Sequence, residues 1–256
     1  PEQVSKQPCS IGLLAHVDAG KTTLSEAMLY ISGATDRLGK INEGNTVCDY
    51  DAEEISRKFS LSGAIAPLTW KDIKVNVLDC PGYLDFTGET AQMLRVADSA
   101  LIVVDANSGI QVGTELAWDA ATEANLPKAF FINKFDDNDA RFAHVLDALH
   151  VTFGKHVCPL TIPMVKDGVV TGCIDLIEQN AHVFDKNGRH SVEIIPEESM
   201  EAVEKYRDML MEAVASADEE LMMKYLDGEE LTHDEILEAF KAGMFHGEIS
   251  PVVPVS

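Results

Sequence analysis

The stretch Ala15-His-Val-Asp-Ala-Gly20-Lys21-Thr22 constrains this chain more than any other. It follows Ile11-Gly-Leu-Leu-Ala15, an apolar run that reads as a strand, and it opens Thr22 to Ile31, which reads as a helix. A strand, a Gly-containing turn and a helix that begins with Lys-Thr make a phosphate-binding loop. Backbone N–H groups and the helix N-terminus surround the phosphates, here from His16, Val17, Asp18, Ala19, Gly20, Lys21, Thr22 and Thr23. Lys21 reaches the outer phosphates, and the Thr22 hydroxyl suits Mg²⁺. Ala15 stands where the strict pattern has Gly, a small-for-small change. The plainer alternative is a Gly-rich turn before a helix.

Further strand and helix patterns alternate behind this loop. Ala64–Trp70 and Ile73–Asp79 read as two strands joined by a tight turn at Lys71-Asp72. Leu101–Asp105 and Ala129–Asn133 are continuous apolar runs, as expected of parallel strands buried on both faces. Helical patterns near Glu89–Val96, Thr114–Glu123 and Ala140–Leu149 separate them. The alternation predicts an α/β fold with a doubly wound, mostly parallel sheet. Near Gly154 the pattern changes to short strands, Gly168–Ile174 and Ala181–Phe184, and then to acidic helices. Met200, Val203, Leu210 and Val214 make an apolar stripe there, and Thr232 with Glu235 signals a capped helix. The Met-rich helices admit a binding face, with ordinary helix packing as the simpler account.

Two more motifs sit on strand ends. Asp79-Cys-Pro-Gly82 places a carboxylate where it can hold a Mg²⁺ water, and a Cβ-free Gly82 where a γ-phosphate comes close. By itself an Asp-x-x-Gly means little, since composition supplies about one per chain; its position after a strand gives it weight. Asn133-Lys134-Phe-Asp136 ends another buried strand, at the edge where open α/β sheets bind ligands. The Asp136 carboxylate matches the N1–H and 2-amino donors of guanine, which adenine lacks. An ATP-bound site would leave it unpaired, a mismatch of several kcal/mol. A surface-loop Asn-Lys-x-Asp is the alternative for that motif alone.

The 43 acidic against 20 basic residues give a net charge of −23, which argues against a basic groove for nucleic acid and against an anionic membrane surface. Residues 156–248 hold 21 acidic and 7 basic residues, so most of the excess lies there. Five cysteines, at 9, 48, 80, 158 and 173, contain no Cys-x-x-Cys pair and suit a reducing compartment. No apolar run reaches the roughly 18 residues of a membrane helix. A cytoplasmic monomer is expected, and the missing initiator Met with the abrupt Pro-Val-Val-Pro-Val-Ser256 end suggests a trimmed piece.

With the three nucleotide motifs in order, and with Gly-Thr-Glu115, Trp118 and Lys224-Tyr-Leu-Asp-Gly-Glu-Glu230, the chain resembles the GTPase region of translation elongation factor G, more narrowly the divergent elongation factor G-like proteins of bacteria. The resemblance implies a GTPase domain over 1–155, completed by 249–256, with 156–248 inserted as a G′-like subdomain. It implies GTP/GDP and Mg²⁺ as ligands, the ribosome as partner of the full-length factor, and no direct sequence-specific nucleic acid contact. It makes Ser256 the first residue of the guanine-contacting Ser-Ala motif. In the first switch the family's Arg-Gly-Ile-Thr aligns with Arg57-Lys58-Phe59-Ser60, which assigns the metal-binding hydroxyl to Ser60. Where the family has a water-placing His after Asp-x-x-Gly, this chain has Tyr83. A phenol stays neutral near pH 7, so hydrolysis is expected to be slow. Tyr83 is expected either to face the γ-phosphate when a partner closes the switch or to pack aside on Phe59 or Phe86. Lys21 and Tyr83 are thus the candidate catalytic residues. Translocation, recycling, ribosome protection and a slow GTP-sensing switch all remain open.

Overall fold

The computed structural model describes residues 7–135, 141–166, 169–184 and 190–255. The chain divides into two compact units: Pro1–Val103 with Gln111–Leu126, and Val104–Ile110 with Pro127–Ser256. The larger sheet is seven-stranded and mostly parallel.

In the first unit β1 (Cys9–Ala15) leads through the phosphate-loop sequence into α1 (Lys21–Ile31). A short helix α2 (Ala52–Arg57) follows, then the hairpin of β2 (Ala64–Trp70) and β3 (Ile73–Asp79). Lys71 and Asp72 both have positive φ, 47° and 64°, the backbone of a turn whose twist matches antiparallel strands. α3 (Thr87–Leu94), β4 (Ser99–Asp105, whose last two residues belong to the second unit) and α4 (Val112–Glu123) complete the order. β1 pairs in parallel with β3, Leu13 opposite Asp79, and with β4, Ala15 opposite Val103. These registers bring the ends of β1 and β3 to one edge, where the phosphate loop and Asp-x-x-Gly emerge. Leu13, Leu29, Cys48, Ala64, Ala66, Leu68 and Val77 form a buried cluster behind that edge.

In the second unit β5 (Lys128–Asn133), α5 (Phe142–Phe153), β6 (Val157–Pro159) and β11 (Ser250–Pro254) belong together, β11 pairing in parallel with both β5 and β6. Between β6 and β11 run four antiparallel strands, β7 (Thr161–Lys166), β8 (Val169–Asp175), β9 (Asn180–Phe184) and β10 (His190–Glu193), in the order β10-β9-β8-β7. Helices α6 (Met200–Ser216), α7 (Glu219–Leu226) and α8 (His233–His246) follow. Val203, Leu210 and Val214 of the expected stripe are buried, whereas Met200 is exposed at the first residue of α6. α8 starts as its sequence signals, with Thr232 Oγ1 accepting the Glu235 N–H and Glu235 accepting the Thr232 N–H. Among the described residues no helix is long and apolar enough to cross a membrane.

Candidate functional site

The phosphate loop needs two residues in the left-handed region, Asp18 at φ 61° and Gly20 at φ 98°. Gly20 tolerates this without strain, and Asp is among the few other residues that do. Gly20 is also the N-cap of α1, so no side chain caps the helix start. Its positive end faces the loop interior, as anion binding requires. Lys21 is 7% exposed, and burial lowers the pKa of its ammonium against the opposing pull of Asp79, Cys80 and Asp18. Its Nζ donates to the His16 carbonyl at 3.4 Å. A Cβ on Gly82 would lie 2.5 Å from that Nζ and 3.3 Å from Val17 N and Cα. The Asp-x-x-Gly turn thus lies directly on the phosphate loop because residue 82 has no side chain.

Thr22, Ser60, Asp79 and one further acid, Asp49, meet beneath the loop. Thr22 Oγ1 donates to Asp79 Oδ2 at 2.7 Å, and Ser60 Oγ donates to Asp49 Oδ1 at 2.7 Å. The two hydroxyl oxygens are 3.3 Å apart. Each gives its proton outward to a carboxylate and keeps lone pairs for a cation. Adjacent ligands of an octahedral Mg²⁺ are about 2.9 Å apart, so a small closure would let Thr22 and Ser60 hold one such ion between them. Asp79 is 1% exposed and its Oδ1 has no hydrogen-bond partner, an orphan that a metal-held water would satisfy. Burial pushes the Asp79 pKa up to about 6, against the Thr22 hydrogen bond and the Lys21 charge. The residues therefore fit Mg²⁺. Asp49, 3% exposed, was not singled out in the sequence, because its partner Ser60 is on the far side of α2.

Tyr83 packs on Phe59, ring centroids 4.5 Å apart and planes tilted by 46°. This is one of its two expected placements, and it leaves Tyr83 36% exposed. His16 turns its buried, unpartnered Nδ1 toward Gly113 at the start of α4. Thr23 is exposed and Ala19 buried.

In the second unit Asn133 ends β5 and its carbonyl accepts the Ala106 N–H at 2.8 Å. Lys134 takes φ 68° and its Nζ pairs with Asp105 Oδ2 at 2.7 Å. Burial raises the Asp105 pKa, but Lys134 and the N–H groups of Asn107 and Ser108 outweigh it and hold the carboxylate below its usual range. Asp105 thus fixes the Asn-Lys turn, a role its place at the end of an apolar run did not reveal. Asp136 and Ser256 lie outside the described residues.

A loop of this kind at the edge of a parallel sheet defines the class: a P-loop nucleotide-binding domain. The whole sequence then narrows it. Residues 6–256 match the family model for the elongation factor Tu GTP binding domain, and the chain belongs to that family, as a GTPase region of the translational GTPases. It is similar to a crystal structure of a protein from Thermus thermophilus, with 36% identity and a TM-score of 0.90. That match covers 98% of this chain and 37% of the other, so the chain spans little more than a third of the Thermus protein's length.

Proposed function

We propose that the chain binds GTP and GDP with Mg²⁺ and hydrolyses GTP slowly, as the GTPase part of a longer elongation factor G-like protein acting on the ribosome. The observation that carries the reading is the pair of hydroxyls, Thr22 and Ser60, each donating to a buried carboxylate and 3.3 Å from the other. Bound there, Mg²⁺ would neutralise charge on the phosphate oxygens. The chain's own groups do the rest. His16 to Thr23 enclose the phosphates, with Lys21 countering their charge. Gly82 lets its backbone approach the outermost phosphate. Asn133 and Lys134 shape the base pocket, Asp136 accepts the two guanine donors, and Ser256 begins the last base contact.

Residues 1–155 with 249–256 serve as the GTPase domain and 156–248 as an inserted subdomain. The chain works as a monomer in the cytoplasm and makes no direct sequence-specific nucleic acid contact.

Slow hydrolysis rests on Tyr83. Its ring lies on Phe59, and a phenol stands where the family has a water-placing imidazole. The attacking water would then be placed by a partner that moves the ring. Single-turnover GTP hydrolysis by the wild type, Tyr83→His and Tyr83→Phe, with and without ribosomes, tests this. A faster His variant supports a damped enzyme, and identical rates for all three remove Tyr83 from the chemistry. The Phe59 contact also favours a second reading, a GTP-sensing switch that scarcely turns over. Ribosomes that leave the single-turnover rate unchanged would select it.

A further inference from the structure

Glu26 lies one helical turn beyond Thr22 in α1, is 1% exposed, and belongs to no nucleotide motif. A carboxylate buried this deeply needs partners that offset its lost hydration. They come from the segment that joins α1 to α2. Glu26 Oε1 accepts the N–H of Val47 at 2.6 Å and that of Cys48 at 3.3 Å. The other oxygen meets the same segment at a second point: a Cβ built on Gly39 would overlap Oε2 and lie 2.8 Å from Cδ. Gly39 therefore gives Glu26 room. Cys48, 2% exposed, anchors the segment from the apolar side, in the cluster with Leu13 and Leu29.

The next residue in the chain is Asp49, which receives the Ser60 hydroxyl at 2.7 Å. We propose that Glu26 is a positioning residue for the cation site: holding residues 39–48 against α1, it sets Asp49, and through Asp49 it sets Ser60 beside Thr22. This rests on reading Thr22 and Ser60 as cation ligands. Without Glu26 the segment would lose both N–H bonds to α1 and rest on Cys48, through its apolar packing and its thiol contact with Ser25. Ser60 would lose the fixed acceptor that turns its lone pairs toward Thr22.

Amide exchange on the nucleotide-free domain reads the contact directly. Val47 and Cys48 should exchange about tenfold faster or more in Glu26→Ala, because a hydrogen bond to a charged acceptor is worth at least that. Glu26→Gln keeps an acceptor oxygen and should restore most of the protection. Gly39→Ala attacks the same contact without touching α1, so the test survives if Glu26→Ala fails to fold. The second readout is the Mg²⁺ concentration that half-maximally slows GTP release. It should rise about tenfold in Glu26→Ala for the same lost interaction, while GDP affinity in EDTA changes less than about twofold. In a Ser60→Ala background the Glu26 change should add nothing, since coupled groups are not additive. Unchanged exchange at Val47 and Cys48 would overturn the proposal, as would full additivity with Ser60→Ala, which marks a merely structural role. Failure of the parent reading looks different: wild-type GTP release would itself be indifferent to Mg²⁺ and to Ser60→Ala.

Discussion

Gly113, the second residue of α4, faces the phosphate loop so closely that adding one methyl group tests the packing of the site. A Cβ there would lie 2.6 Å from His16 Nδ1, 2.7 Å from His16 Cα and 2.9 Å from His16 Cβ. Turning the imidazole relieves the first contact only. The other two are fixed by the loop backbone, Cα as part of it and Cβ bonded directly to it, and carbon atoms in contact normally stand about 3.5–4.0 Å apart. Helix and loop must therefore separate by roughly 1 Å, an overpacking strain of about 1–3 kcal/mol. Intrinsic helix preference acts in the opposite direction and favours Ala over Gly by up to about 1 kcal/mol. The strain should win, so Gly113→Ala is expected to destabilise the nucleotide-free protein by about 1 kcal/mol in equilibrium urea unfolding. Because the displaced atoms belong to the loop that holds phosphate, GDP affinity should also fall about tenfold, equivalent to about 1.4 kcal/mol. Val112→Ala, one residue earlier and exposed, should shift stability by no more than about 0.5 kcal/mol. A Gly113→Ala protein that is more stable than wild type and binds GDP equally well would refute the packing argument.

Asp136→Asn should weaken GTP binding and improve binding of xanthine nucleotides, whose 2-oxo group accepts where guanine donates; titration showing equal wild-type affinity for ATP and GTP would sink the base assignment. Thr22→Ala removes the donor at 2.7 Å from Asp79 and one of the two hydroxyls proposed to hold Mg²⁺, so GTP affinity should drop about tenfold or more with Mg²⁺ present and much less in EDTA. Equal losses under both conditions would show that Thr22 acts on folding alone. Burial, with Lys128 and His150 adding to it, holds the His156 pKa below its usual 6.5. The unfolded chain then takes up a proton that the folded chain resists, so this contribution to stability is present above 6.5 and is lost as pH falls through the folded value. The urea midpoint should decline from about pH 7 to about pH 5, and the decline should be shallower in His156→Gln; equal slopes would exclude the effect.

What the sequence reveals about this domain and what it hides divide along one physical line, the range of the interaction. The hairpin at Lys71-Asp72 and the capped start of α8 are set by backbone preference and by contacts three or four residues apart, so their residue patterns announce them. The strands were legible because apolar runs such as Leu101–Asp105 have nowhere to go but a doubly covered sheet. Even α2 carries a local mark, Asp51 capping a helix whose Glu54 reaches back to the Asp51 N–H, although six residues of helix leave little periodicity beside it. The residues that support the motifs within each unit have no such mark. Glu26, Asp49, Asp105 and Gly113 act on partners far along the chain, and each by itself is an ordinary acid on a helix or loop, an acid ending a strand, or a glycine near a helix start. Tyr83 shows the limit most clearly. Its sequence position left two placements open, and only the approach of Phe59 across the folded chain selects between them in this structure. A phosphate loop is recognisable because its job requires consecutive N–H groups to converge, a demand that falls on neighbouring residues. Residues that bond or pack to distant segments around such a loop, as Glu26, Asp49 and Gly113 do here, need only be near in space. Their partners are set by the folded chain, so no fixed spacing in the sequence points to them.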